Sequence, residues 1–390
     1  MLPSRKSDKQ EIELLSRLYH HHRTSAGQRQ AGFSLVEIVV ALVIGMLGMI
    51  VIMQVFGVFE GQKRSTSSGN EAQNNGAIAL AGLQRDIQQS GYGISDLNLL
   101  ACGLTLPSGA TLTDLAPVTI NPAAAVVPLG DTNTDTLLVV YGNGNNSVLG
   151  SVIGTQSANT VYPLTTTIEF TAADRVIARP VATSNPALAR TCSLTLDTVS
   201  AVATSSVTVA PGVAGVTNGQ LYDLGAAPVV RAYAIRSGNL TVCNYMANNC
   251  GNAALITNSA VWVPIANGIV SMKAQYGKDS TTAAMVGIVD KYDQASAVPA
   301  AAQSTSSQCG WARISAVRIA LVARSGQYSS TAVTTSAPSW AGTSANNPAG
   351  SAANPIVLSA DTNWQRYRYK VFETTIPIRN IVWMGVQSTC

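Results

Sequence analysis

From Ile38 to Phe59 the chain runs for 22 residues without a charged side chain, and Gln54 is the only strongly polar one. As an α-helix this stretch would be about 33 Å long, enough to cross a hydrocarbon core of roughly 30 Å. The flanks orient such a span. Residues 1–32 carry six bases (Arg5, Lys6, Lys9, Arg17, Arg23, Arg29) against three acids (Asp8, Glu11, Glu13). The positive-inside rule therefore keeps residues 1–32 in the cytoplasm and sends the rest across the membrane as a single-pass protein. A removable secretory signal fits poorly, because the apolar run is too long and no small-x-small site follows it at the usual distance.

Beyond residue 32 there remain 18 bases and 17 acids. A near-neutral body lacks the clustered basic face that nucleic acid requires, so no direct nucleic-acid binding is expected. Charged residues make up only 11% of the chain, against roughly 25% in an average soluble domain, which suits a secreted or surface protein. All six cysteines (Cys102, Cys192, Cys243, Cys250, Cys309, Cys390) follow the apolar run. An even count beyond a membrane segment points to disulfides in an oxidising compartment, with free buried thiols as the alternative. Six cysteines allow 15 connectivities, and only Cys243 and Cys250 are spaced to close a local loop.

After Phe59 the chain turns polar but has no proline until Pro107. Ala72, Gly76, Ala79, Leu83 and Ile87 recur at three- and four-residue steps, one face of a helix that Gly91 is placed to end. Residues 33–90 thus read as one long helix, membrane-spanning over 38–59 and amphipathic later, with Gly61 and Ser65–Gly69 as weak points. From 91 to 390 the period changes to two. Strands are read over Thr136–Tyr141, Thr167–Phe170, Val176–Arg179, Ser193–Asp197, Val229–Ile235, Ile269–Tyr276, Ile314–Arg324 and Arg366–Ile378. In Ile314–Arg324, Val317, Ile319, Leu321 and Ala323 mark an apolar face and Arg318 and Arg324 a wet one, as in an antiparallel sheet solvated on one side. The uncharged segment 325–360 reads as a long, flexible, exposed loop. The fold class is α+β, a long N-terminal helix packed on an antiparallel β-rich domain.

Histidine bears on catalysis. The three in the chain, His20, His21 and His22, all precede Gly32, so a body beginning after Gly32 lacks Ser-His-Asp or Cys-His machinery and His-containing zinc sites. Gly142-x-Gly144 and Gly91-x-Gly93 lack the rest of a phosphate loop and read as turns. Asp131-x-Asn133-x-Asp135 opens like a calcium-binding loop, but Thr136 stands where that loop needs glycine and Gly142 where it needs glutamate. A turn entering a strand is the reading, with a metal held by these oxygens as the open alternative. Trp364, Tyr367 and Tyr369 read as packing residues, with a glycan- or partner-binding stripe as the alternative. No catalytic residue, cofactor or metal is assigned, and the chain is not expected to be an enzyme.

Glu37 lies at the rim of a segment otherwise committed to lipid, where an ionisable group is costly and a functional candidate. Gly32 precedes the aromatic Phe33, and a cut between them would create an amine one helical turn from Glu37, where the two charges can neutralise each other. Gly32-Phe33-Ser34-Leu35-Val36-Glu37 with its apolar run resembles the type IV prepilin family, which includes the pseudopilins of type II secretion. The resemblance implies that a prepilin peptidase cleaves after Gly32, that Phe33 becomes N-methylated, and that Glu37 assists docking of the subunit onto its neighbour. The leader is longer than many, and the apolar helix lacks the proline that major pilins often carry.

Leu83-Gln84-Arg85-Asp86-Ile87-Gln88-Gln89-Ser90-Gly91-Tyr92-Gly93 is similar to the segment closing the long helix of PilW-type minor pilins. Asp131–Leu137, Val270–Asp279, Ala316–Val322 and Phe372–Asn380 are similar to later stretches of that subfamily, in the same order. The resemblance implies a pilin-like fold and a minor pilin that primes or caps a pilus, supporting adhesion, twitching motility or DNA uptake. Its partners would be the prepilin peptidase, other minor pilins, the major pilin, the inner-membrane assembly platform and the lipid bilayer. After assembly it would reside in the pilus at the cell surface. A minor pseudopilin of type II secretion and an uncleaved signal-anchored periplasmic protein are the alternatives.

Overall fold

The computed structural model describes residues 32–144, 149–181, 192–297, 306–344 and 350–390. Of the expected leader, only Gly32 falls among the described residues, and 345–349 of the expected loop fall outside them.

A single helix of 55 residues, α1, runs from Leu35 to Gln89. Its first turn forms as the amides of Glu37 and Ile38 donate to the carbonyl of Ser34 at 2.9 and 3.2 Å. The weak points expected at Gly61 and Ser65–Gly69 do not interrupt it. There the hydroxyls of Thr66 and Ser68 donate back to the carbonyls of Gln62 (3.0 Å) and Ser65 (3.3 Å), so these side chains do not pull the backbone out of the helix.

The chain divides into two units, one holding α1 as far as Gly61 and the other running from Gln62 to Cys390. In the first, the apolar side chains from Leu35 to Phe59 are all exposed, and α1 is long and apolar enough here to cross a membrane. In the second, the remaining turns of α1 bury Ala72, Gly76, Ala79, Leu83, Asp86 and Ile87, the face whose spacing marked it.

This second unit holds three sheets. A five-stranded antiparallel sheet has the order Val263–Asn267, Asn239–Asn244, Val229–Arg236, Leu137–Tyr141, Val118–Ile120. A four-stranded antiparallel sheet has the order Lys291–Asp293, Ile269–Lys278, Ile314–Arg324, Tyr369–Pro377. An eight-stranded sheet completes the set, with one parallel pairing, between Gly103–Thr105 and Ser193–Ala203. The main core gathers Leu83 and Ile87 of α1 with Leu137, Val139 and Ile235 of the five-stranded sheet and Ile319, Leu321 and Ile376 of the four-stranded sheet. The alternate residues Leu138, Val140 and Ala232 pack into a second cluster with Leu104, Leu112 and Trp262, so the five-stranded sheet is buried on both faces.

Four expectations change. Thr167–Phe170 is a turn, closed by a bond from the amide of Phe170 to the carbonyl of Thr167 at 3.1 Å. The final strand begins at Tyr369, because Trp364–Arg366 forms a short 3-10 turn. The face of Ile314–Arg324 expected to be wet is covered: Ala320 and Val322 pack with Trp340, Ile356 and Leu358, and Arg318 is 6% exposed. The cover is the segment expected to be a flexible exposed loop. Its described residues, 325–344 and 350–360, form no strand, yet Trp340, Ile356 and Leu358 are buried and Trp340 Nε1 donates to the carbonyl of Asn354 at 2.6 Å.

Candidate functional site

Gly32, Phe33 and Ser34 precede the first helical residue and are exposed. The peptide bond between Gly32 and Phe33 lies outside the helix, as a scissile bond must to enter a protease, while the carbonyl of Ser34 already accepts the first helical bonds. Glu37 lies in the first turn of α1, where an acid complements the positive end of the helix dipole. Phe33 and Glu37 both line a shallow apolar strip continued by Ile38, Ala41, Leu42 and Gly45. The residues singled out at the junction therefore share one surface, with a single carboxylate at its head.

At the other end of α1, Asp86 is 5% exposed. Its carboxylate accepts bonds from the hydroxyl of Tyr141 at 3.0 Å, the hydroxyl of Tyr233, and Nη1 of Arg231 at 2.9 Å. Tyr141 and the Val229–Arg236 strand carrying the other two donors are neighbours in the five-stranded sheet, so the acid ties the helix to that sheet. Burial, and then the charge and hydrogen bond of Asp86, push the Tyr141 hydroxyl up to about 12, and Arg231 opposes the shift. The same causes push Tyr233 higher still.

The helix then ends where Gly91 and Gly93 adopt φ of +85° and +78°, a conformation that glycine takes without steric cost. Asn380 Nδ2 donates to the last carbonyls, those of Gln89 at 3.0 Å and Ser90 at 2.9 Å. Both α1-facing contacts, Asp86 and Asn380, escaped the sequence reading as sites. The available signal for Asp86 was its place three residues after Leu83 on the apolar face.

The calcium-loop resemblance at Asp131–Asp135 resolves into structural roles. Asp131 accepts the amides of Ser237 (2.9 Å) and Gly238 (2.7 Å) at the tip of a hairpin. Asp135 accepts from Asn121 Nδ2 (3.1 Å), the amide of Ala274 (2.9 Å), Gln294 Nε2 (2.9 Å) and Asn354 Nδ2 (2.9 Å). These carboxylates point to separate partners, and no group of three metal-ligating side chains occurs among the described residues.

The cysteines pair as Cys102–Cys192, Cys243–Cys250 and Cys309–Cys390. Beside the last pair Arg313 donates to the carbonyl of Cys390 at 2.6 Å and lies 3.6 Å from Asp279. Burial works to raise the carboxyl of Asp279, but hydrogen bonds from Thr281, Gly287 and Val286 outweigh it and hold the group below its usual range. Trp364 and Tyr369 pack against the Ala320–Val322 cluster, and Tyr369 donates to the carbonyl of Trp364 at 2.9 Å. Trp364 and Tyr369 are thus held by packing and do not form a free stripe, while one side of Tyr369 lines a cleft.

Comparison with known proteins adds two matches. Residues 27–53 match the family model described as the prokaryotic N-terminal methylation motif, and residues 233–380 match the one described as type IV pilus-assembly protein W. The second match begins at Tyr233, a donor to Asp86, and ends at Asn380, the cap of α1. No curated protein and no solved structure matches the chain.

Proposed function

Taking the chain as a type IV pilus-assembly pilin with a prepilin-type N-terminus, we propose that it is a minor pilin, cleaved between Gly32 and Phe33 and built into a pilus through its apolar helix. One observation carries this reading: both family matches occur on one chain, and the Gly32–Ser34 junction is accessible and non-helical. The precursor sits in the inner membrane with its leader in the cytoplasm and residues 91–390 in the periplasm. Prepilin peptidase removes the leader and methylates the amine of Phe33. Glu37 then offers a carboxylate for an amine at the docking face, so that neither charge is left uncompensated in an apolar bundle.

Assembly is driven by packing of the Phe33–Phe59 face against other pilin helices as the subunit leaves the bilayer. The protein is a structural subunit and not an enzyme. Its partners are the other minor pilins, the major pilin and the assembly platform, and its role is in priming or capping the filament that supports adhesion, twitching motility or DNA uptake.

The decisive measurement is the N-terminal mass of protein extracted from membranes and from sheared pili. A mature chain starting at a methylated Phe33 is expected; a chain starting at Met1 overturns the proposal. Glu37→Ala is expected to leave cleavage intact and to reduce incorporation into pili. Unchanged incorporation removes the docking role.

A further inference from the structure

A cleft of about 600 Å³ opens on the globular unit, walled by the turn at Gly130–Thr132, the hairpin tip at Ser237–Gly238, Arg324 and the stretch Val357–Asp361. Its size lies within the range of small-molecule sites, but its lining is mainly polar where most such sites are mainly apolar. From this cleft we infer a binding site for a neutral saccharide.

The acceptors are held in place before any ligand arrives. Asp131 accepts the amides of Ser237 and Gly238 at 2.9 and 2.7 Å, one on each carboxylate oxygen. Asp361 accepts the amide of Asn363 at 2.9 Å on one oxygen and Arg324 Nη1 at 3.1 Å on the other. A carboxylate offers about four acceptor positions, so each acid keeps capacity for further donors. Arg324 is itself fixed over the ring of Tyr367 at 4.5 Å. Its side chain is 32% exposed and that of Asp361 is 42% exposed, so both remain within reach of a ligand. Val270 and Tyr369 add an apolar part to the wall.

The ligand class follows from what this wall rejects. Two carboxylates and one guanidinium line the cleft, and Arg236, whose charge also reaches Asp131, lies outside the lining, so the wall is not built for an anion. A divalent cation would have to share Asp361 with Arg324 and would find no third ligating side chain grouped with the two acids. A wholly apolar molecule would strip water from fixed carboxylates and gain no hydrogen bond in return. A saccharide supplies hydroxyl donors to Asp131 and Asp361, acceptors to Arg324, and a C–H face to the apolar wall. This inference is independent of the pilus reading.

The test uses the full chain in a detergent without a sugar headgroup, titrated by saturation-transfer NMR and calorimetry. One arm offers hexose disaccharides (lactose, maltose, mannobiose) and the other offers chitobiose, which separates hexose recognition from that of N-acetylated sugars. Saturable binding in at least one arm is expected. Asp361→Asn, which removes one charged acceptor at an exposed position, should weaken it about tenfold, in line with a hydrogen bond to a charged group. Ala360→Trp, which fills the cleft from an exposed position, should abolish it. Both variants should keep the parent melting temperature. No binding in either arm, or binding indifferent to both variants, overturns the inference.

Discussion

Asp86 and Arg231 form an ion pair of 2.9 Å in which the acid side chain is 7% exposed and the base 41% exposed. The two partners are therefore unequal. Removing Arg231 leaves Asp86 with the hydroxyls of Tyr141 and Tyr233 and with access to water on the vacated side. Removing Asp86 leaves the buried hydroxyls of Tyr141 and Tyr233 without their acceptor and takes away the polar tie between α1 and the five-stranded sheet. Asp86→Ala is expected to cost about 3 kcal/mol, as for breaking a buried pair, and Arg231→Met about 1 kcal/mol, as for an exposed one. Denaturant unfolding of the two variants checks this, and equal losses would rule out the asymmetry.

Buried tyrosines, Tyr141 at this clasp and Tyr369 beside Arg324, shape the alkaline limit of stability. Tyr141 and Tyr369 are each pushed up to about 12 from an ordinary value of 10.0, chiefly by burial. A group whose value is raised on folding holds its proton more tightly in the folded chain. Its contribution is fully present below 10, where both forms are protonated. It fades as pH climbs from 10 toward 12, where only the unfolded chain ionises. Stability should thus be flat from neutral pH to about 10 and then fall steadily. Tyrosinate absorbance should rise late in the folded protein and jump on unfolding at pH 11; early, complete ionisation in the folded state would contradict the burial of these hydroxyls.

What the sequence made legible is what repeats locally. The buried face of α1 was written in the spacing of Ala72, Gly76, Ala79, Leu83 and Ile87, and its end in Gly91. The sites that join distant segments left almost no local trace. Asp86 meets donors 55, 145 and 147 residues away, and no period in the chain encodes that convergence. The stretch 325–360 misled for another reason. Its lack of charge marks an irregular segment, as it proves to be, but carries no sign that Trp340, Ile356 and Leu358 are delivered by that irregular backbone onto the sheet. Arg318 misled likewise: it sits on a covered face because Gln275 accepts its Nη2 at 2.5 Å and Tyr292 lies under its guanidinium at 4.0 Å.

Spacing alone singled out Cys243 and Cys250 as suited to a local loop. The other two pairs span 90 and 81 residues, so they restrict the unfolded chain far more than a pair separated by 7. On the loop-entropy account, replacing either long-range pair by alanines should cost about 4.5 kcal/mol and replacing Cys243 and Cys250 about 2.5 kcal/mol. Non-reducing peptide mapping should return the three pairs as they stand, and guanidinium midpoints of the three double variants should order the costs. A short-loop variant as unstable as the others would show that local strain or packing, not chain entropy, sets the cost.

Two glycines of α1 carry opposite expectations for the same substitution. At Gly76 an added Cβ would lie 2.3 Å from Cε2 of Phe372, whereas at Gly82 nothing stands within 4 Å. Alanine in a helix is favoured over glycine by about 1 kcal/mol, because glycine loses more backbone freedom on folding. At Gly82 that gain is unopposed, so Gly82→Ala should stabilise the fold by about 0.5–1 kcal/mol. At Gly76 the methyl must displace an aromatic ring seated on the helix, so Gly76→Ala should destabilise by about 1–3 kcal/mol, the usual range for overpacking. Combining it with Phe372→Ala separates the two terms. With the ring gone, Gly76→Ala should turn from harmful to neutral or favourable in thermal unfolding. A Gly76→Ala penalty that persists without Phe372 would mean the glycine is required by the backbone and not by the ring.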